Sequence, residues 1–362
     1  MQKIFFTLLA LSILTSCQST HQSRQQNLQK IWGEYFGEGF NETKAIEVLV
    51  ATNRNSRSAN FGCADENFGV DADDKLKFGA CKINVPKNHI TGDIVLGDNR
   101  QSSNDYFKVL SAKNLDEAAL IKNLKNSGRP VLIFVHGFNV KYNEAVLRAA
   151  GLAYDLKYQG AIVLFSWPSG SKGGFFEEKM INKTYDQNLA NAKKSVDALQ
   201  NFLLKLHQND IEVNLVVHSM GHQVVLPALA KLNQQKPNTI FINHLILNAP
   251  DFEVAEFKNL TKNLKQISQN TTLYCSYNDK AMSASKTLNS NERLGACTFS
   301  EDFDTINVSA VDDSTFGLGH GYYSSRAILT DVFQNLIGIP ADRRLFIIKS
   351  EPNSTEKYLL RK

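Results

Sequence analysis

Ser219 lies in the run Leu215-Val216-Val217-His218-Ser219-Met220-Gly221-His222, where an apolar stretch of strand type passes directly into a stretch of helical type. A serine at such a turn is lifted above the carboxyl end of a strand, and a glycine two residues on lets a neighbouring backbone come close. The plain alternative is a serine that only caps the helix. A hydroxyl becomes a nucleophile when a base takes its proton and a carboxylate orients the base. His320, in Gly317-Leu318-Gly319-His320-Gly321-Tyr322, is the candidate base, because the other histidine well beyond Ser219, His244, opens a strand-like run at its far end. Two aspartates compete for the carboxylate. Asp279 follows the apolar run Thr272–Ser276 and is preferred; Asp251, in Asn248-Ala249-Pro250-Asp251, is the rival and otherwise reads as a helix cap or a wall residue. Together these types define acyl transfer through a covalent serine intermediate, whose oxyanion needs two aimed N–H groups. Met220, next to the serine, supplies one, and Phe138, in His136-Gly137-Phe138-Asn139 after another apolar run, supplies the second. His136, His218 and His222 are read as groups that order loops or line the pocket. The residue two before the serine is usually small in such turns, and here it is Val217.

These residues need a scaffold that brings strand ends together. From residue 130 onward, short apolar runs alternate with amphipathic stretches. Strands are expected at 131–135, 161–167, 212–217, 244–248, 272–276 and 304–308. Helices are expected at 143–158, 182–207, 220–232, 254–269 and 323–336. The longest shows Leu189, Ala192, Val196, Leu199, Phe202 and Leu203 on one face. Continuous apolar strands separated by helices predict an α/β fold, a mostly parallel doubly wound sheet covered on both faces. Before residue 130, strands at 45–51, 76–85 and 94–96 and a helix at 114–126 predict an N-terminal antiparallel edge. Ser, acid and His then occur in the chain order of α/β-hydrolases, and the Ser219 turn matches their nucleophile elbow.

The chain has 362 residues, 43% of them hydrophobic, which suffices for a packed core. Its 40 basic and 36 acidic residues leave a formal charge of +4 without a clustered basic face, so no nucleic-acid partner is expected. Lys3 and the apolar run Ile4–Leu14 have the form of a signal segment too short to stay as a membrane span. Leu14-Thr15-Ser16-Cys17 then resembles a bacterial lipobox, which implies lipidation at Cys17; an ordinary cleaved signal is the alternative. The residue after Cys17 is Gln18, which points to the outer membrane in a cell with two membranes. The expected division is a signal peptide at 1–17, a polar tether at 18–42, the folded domain at 43–345 and a C-terminal tail at 346–362. Four other cysteines in an exported chain suggest disulfides. Of the three pairings, the local one, Cys63–Cys81 with Cys275–Cys297, is preferred, against four reduced thiols. No cysteine or histidine cluster has metal-ligand spacing, so no metal is expected, and no cofactor either.

Several segments together carry a resemblance. Ala51-Thr52-Asn53-Arg54, Phe134-Val135-His136-Gly137-Phe138-Asn139, Phe165-Ser166-Trp167-Pro168-Ser169, His218-Ser219-Met220-Gly221, Ala249-Pro250-Asp251, Ser276–Asp279 and Gly319-His320-Gly321-Tyr322 are similar to the bacterial α/β-hydrolase family of unknown function numbered nine hundred, an esterase/lipase-like group. The resemblance implies the fold, hydrolase chemistry and the triad positions, and implies no substrate. A Cys275–Cys297 bond would clamp the acid loop. The expectation is a carboxylic-ester hydrolase at the cell envelope, acting on small-molecule or lipid esters and held to the membrane by its lipid anchor. The alternatives are a non-catalytic surface lipoprotein and an acyltransferase or amidase with the same triad. The segment Gly170–Asn182, with Phe175 and Phe176, is expected to line or cover the pocket, or else to form a surface loop.

Overall fold

The computed structural model describes residues 44–97, 100–171, 181–298, 303–312, 320–352 and 354–361. The expected signal peptide, Cys17, the tether, Phe175, Phe176 and Gly317–Gly319 lie outside the described residues. The described residues fall in one compact unit.

Among the described residues, eleven strands form a single sheet. In chain order they are β1 (Lys44–Ser56), β2 (Phe68–Val85), β3 (Lys108–Leu115), β4 (Val131–Val135), β5 (Ile162–Ser166), β6 (Val213–His218), β7 (Ile242–Asn248), β8 (Ser268–Cys275), β9 (Asp304–Asn307), β10 (Ile347–Lys349) and β11 (Tyr358–Leu360). Across the sheet the order is β10-β11-β9-β8-β7-β6-β4-β5-β1-β2-β3. Every pair from β11 to β1 is parallel, while β1–β2, β2–β3 and β10–β11 are antiparallel. The mostly parallel sheet with an N-terminal antiparallel edge is therefore as expected.

Every residue of β4, β5 and β6 is buried. Alternate residues feed two cores: Val131, Ile133 and Val135 pack on one face, Leu132 and Phe134 on the other. That two-sided burial explains why these strands read as unbroken apolar runs rather than alternating ones. The helices over the two faces are α1 (Glu117–Asn126), α2 (Tyr142–Asp155), α3 (Ile181–Lys194), α4 (Val196–Gln208), α5 (His222–Gln235), α6 (Val254–Ile267), α7 (Lys280–Asn289) and α8 (Arg326–Leu336). β4 leads to β5 on one side, whereas β6 leads to β7, β8 and β9 on the other. The loops after β4 and β6 therefore diverge at a topological switch point, where α/β sheets form their clefts.

Three sequence expectations are corrected. The single helix at 182–207 is two, α3 and α4, broken at Ser195. Ser195 Oγ donates back to Asn191 O at 2.8 Å while accepting from Asn53 Nδ2, a side-chain pattern that bends helices. The strand at 94–96 is only an isolated bridge, Leu96 to Phe107, and the second partner of β2 is β3, whose last two residues fall within the expected helix 114–126. The tail at 346–362 is instead an edge of the sheet: β11 pairs with β9, and Leu360 is 1% exposed in the core.

Both local disulfides are formed. Cys63–Cys81 spans 18 positions and Cys275–Cys297 spans 22, with Cα–Cα distances of 5.9 and 5.1 Å. No helix among the described residues is long and apolar enough to cross a membrane.

Candidate active site

β6 ends in His218, and Ser219 begins a single 3-10 turn that runs straight into α5. Ser219 has φ +52°, in the left-handed region that a residue with a side chain adopts at a cost of about 1–3 kcal/mol. Two glycines admit the turn. A Cβ on Gly221 would meet His136 O at 2.6 Å, and a Cβ on Gly137 would meet Ser219 Cβ at 2.8 Å. The loop after β4 thus lies against the serine itself. The Ser219 carbonyl accepts from His222 Nδ1 at 2.6 Å and from Asp251 N at 3.3 Å, which holds the turn from below. Val217 causes no conflict, since its side chain packs in the core that also holds Val135 and Leu247.

His320 Nδ1 donates to Asp279 Oδ2 at 2.7 Å, and the other Asp279 oxygen accepts from Met282 N at 3.1 Å as the N-cap of α7. The Asp279 carboxylate is fully buried. With Nδ1 committed to the carboxylate, Nε2 is the nitrogen left for chemistry; it is buried and has no partner among the described residues. The His320 ring leans on His218 at 4.8 Å, and His218 stacks on Tyr323 at 3.7 Å. No hydrogen bond joins Ser219 Oγ to His320 here. Such bonds are often long before substrate binds.

Asp251 is also buried, but its carboxylate is engaged elsewhere. It accepts from Tyr185 Oη at 2.9 Å and Ser285 Oγ at 2.5 Å, and pairs with Arg293 Nε at 3.4 Å. Burial and the Asp251 charge push the Tyr185 hydroxyl up to about 12.

The loop His136–Val140 is pinned at almost every group. Trp167 Nε1 donates to His136 O at 2.8 Å, Ser169 Oγ to Gly137 O at 3.0 Å, Asn139 N to Asn188 Oδ1 at 3.1 Å, and Val140 N to Ser169 Oγ at 3.1 Å. Between them the Phe138 N–H has no partner among the described residues. The Met220 N–H belongs to the first turn at the start of a helix, where donors lack intrahelical acceptors. His136 stacks on Trp167, and its Nδ1 donates to Gly137 O at 3.1 Å. Burial holds His136 and His218 well below the ordinary histidine range and takes His222 down to about 3. All three are therefore neutral at pH 7, which suits ordering roles rather than charged ones.

Trp167, Ser169 and Asn188 hold the His136–Val140 loop, yet the sequence alone gives none of them a role. A signal existed for Asn188: it sits four residues before Ala192 on the apolar face of α3, where a fully buried amide needs a structural partner. Among the described residues, no group of three or more His, Cys, Asp or Glu is arranged to hold a metal ion.

A mostly parallel sheet with a strand–serine–helix turn at its switch point defines the α/β-hydrolase class. The chain belongs to the family described as alpha/beta hydrolase of unknown function (DUF900), whose model matches residues 112–339, more than half of the sequence. Among solved structures it is similar to phospholipase PlaB from Legionella pneumophila, at 11% identity and TM-score 0.32 over 65% of this chain and 69% of that one. It is also similar to an esterase from Pyrobaculum calidifontis, at 9% identity and TM-score 0.34 over 89% and 92%. No curated protein matches.

Proposed function

We propose that the chain is a serine hydrolase of carboxylic esters, with Ser219 as nucleophile, His320 as base and Asp279 as the orienting acid. The observation that carries this reading is the 2.7 Å contact from His320 Nδ1 to buried Asp279, which leaves Nε2 uncommitted in a site whose serine is held at φ +52°. Nε2 takes the Ser219 proton as Oγ attacks the ester carbonyl carbon, and the carbonyl π electrons move onto oxygen. The oxyanion accepts from the Phe138 and Met220 N–H groups. When the tetrahedral species collapses, His320 returns the proton to the departing alcohol and an acyl-Ser219 remains. Water, deprotonated by His320, then cleaves the acyl bond and restores the enzyme. Small-molecule or lipid esters fit a hydrolase of this class. The Leu14–Cys17 motif supports an exported protein with a lipid anchor at Cys17, held at the cell envelope.

Labelling with a fluorophosphonate probe tests the reading. Wild type is expected to label at one residue and Ser219→Ala not at all. A wild type that fails to label, or a Ser219→Ala variant that labels equally, removes Ser219 as the nucleophile.

A further inference from the structure

Arg54 is fully buried, and no carboxylate of a described residue forms an ion pair with it. It lies near the end of β1, where the ladder to β2 shifts register on both sides of the residue. Such bulges re-aim a side chain, and this one turns inward towards the loop after β4. An arginine has five N–H donors, and here each finds an acceptor. Nε donates to Ser166 Oγ at 2.9 Å. Nη1 donates to Ser169 O at 2.7 Å and Gly69 O at 3.2 Å, and Nη2 to Val140 O at 2.9 Å and the His136 Nε2 lone pair at 3.4 Å. Burial lowers the guanidinium to about 9, which still leaves it charged at pH 7. Burying a guanidinium without a paired counter-ion is costly unless its donors are all satisfied, as they are here.

The acceptors show what depends on it. Val140 O and His136 belong to the loop that presents the Phe138 N–H. Ser166 and Ser169 belong to the segment whose Trp167 and Ser169 hold that loop's remaining groups. One planar fork therefore joins the oxyanion loop to the β5 loop and to β1 and β2. His136 is locked in one tautomer by its Nδ1–H bond to Gly137 O, so its Nε2 must accept, and Arg54 and Ser166 Oγ converge on it. Lysine, a compact ammonium on a flexible stem, cannot reproduce a five-donor fork. Arg54 also lies outside the span matched by the family model, 112–339.

We infer that Arg54 is a positioning residue for catalysis: it fixes the His136–Val140 loop so that the Phe138 N–H points at the oxyanion, and it places a positive charge behind that loop. This rests on the serine-hydrolase reading. A preorganised donor acts in the transition state and not in substrate binding, so its loss lowers kcat and leaves KM alone.

The test uses the full-length protein, p-nitrophenyl butyrate and a fluorophosphonate, with wild type and Ser219→Ala as reference. Arg54→Met is expected to lower kcat by about 10²–10³ with KM nearly unchanged, as when one oxyanion donor is lost. The phosphonylation rate at Ser219 should fall in parallel, because the phosphonyl oxygen occupies the same site. Arg54→Lys should recover part of the rate. Ser169→Ala, which leaves Arg54 in place but unties Gly137 O and Val140 N, should fall in the same direction. A folded Arg54→Met with wild-type kcat, or a loss carried wholly by KM, overturns the inference. If Arg54→Met does not fold, wild-type kcat in both Arg54→Lys and Ser169→Ala overturns it. A wild type that never labels at Ser219 overturns the hydrolase reading instead, and this inference with it, an outcome separate from a labelling wild type with insensitive Arg54 variants.

Discussion

At the scale of single residues, the two buried aspartates near Ser219 carry different loads. Asp279 spends one oxygen on His320 and the other on the cap of α7, so both the ring and the helix start depend on it. Asp251 spends its carboxylate on Tyr185, Ser285 and Arg293, and reaches the serine only through its backbone N–H. Asp279→Asn is therefore expected to lower kcat for p-nitrophenyl butyrate by about 10⁴, the scale for a triad acid whose loss sets the wrong tautomer. Asp251→Asn should instead lower Tm with a much smaller change in kcat, because Arg293 then loses its buried counter-ion. A crippled Asp251→Asn beside an active Asp279→Asn would reverse the two roles. The placement of Asp279 beyond a late strand was legible in the sequence, because the β-branched and aromatic residues of Thr271–Cys275 favour a strand. The role of Arg54 was not legible: nothing in Ala51-Thr52-Asn53-Arg54 says that its acceptors lie 86 and 115 positions further along the chain.

Among the elements, the segment Leu294–Ala296 decides how the acid loop is held. Its backbone bonds to both neighbours of the site: Leu294 N to Phe252 O at 3.0 Å, Gly295 N to Pro250 O at 2.9 Å, and Ser276 N to Gly295 O at 3.1 Å. Cys297 then joins this segment to Cys275 at the end of β8, four residues before Asp279. Closing loops of 18 and 22 positions constrains the unfolded chain almost equally, so each disulfide is worth roughly 3 kcal/mol. Replacing either pair by alanines should therefore lower stability to urea by a similar amount. Only Cys275→Ala/Cys297→Ala should also lower kcat, because only that bond abuts the acid loop; equal activity in the two double variants would show that the bond does not hold Asp279. The long, buried, parallel elements were legible because their apolar runs are unbroken. The missed ones lack that signal. β3 is exposed along most of its length, β10 and β11 have three residues each, and the break between α3 and α4 depends on Ser195 meeting Asn53 from β1.

For the molecule as a whole, the parallel sheet gathers neutral histidines where its loops converge. His136, His218 and His222 are buried around Ser219, and burial is the first cause that lowers each of them, with His222 brought to about 3. In the unfolded chain the same rings titrate near about 6.5. Between the folded and unfolded values the unfolded chain holds more protons, so stability rises with pH through that window and is complete above about 6.5. It is lost as the pH falls below that value, at about 1.4 kcal/mol per pH unit for each histidine, or about 4 for the three together. Asp331 works in the opposite direction. Burial raises its carboxyl above the ordinary value, so its protonation favours the fold, but its window opens from the carboxylate range upward and offsets only part of the slope. Urea unfolding followed between about pH 7.5 and pH 5 should show this as a falling midpoint that begins near the histidine range and precedes general acid denaturation. His222→Asn, which keeps a donor for the Ser219 carbonyl but cannot bind a proton, should take about 1.4 kcal/mol per pH unit off that slope. A midpoint that stays level across that range would mean that these rings are charged or solvated in the fold, and the neutral support assigned to them around Ser219 would then fall.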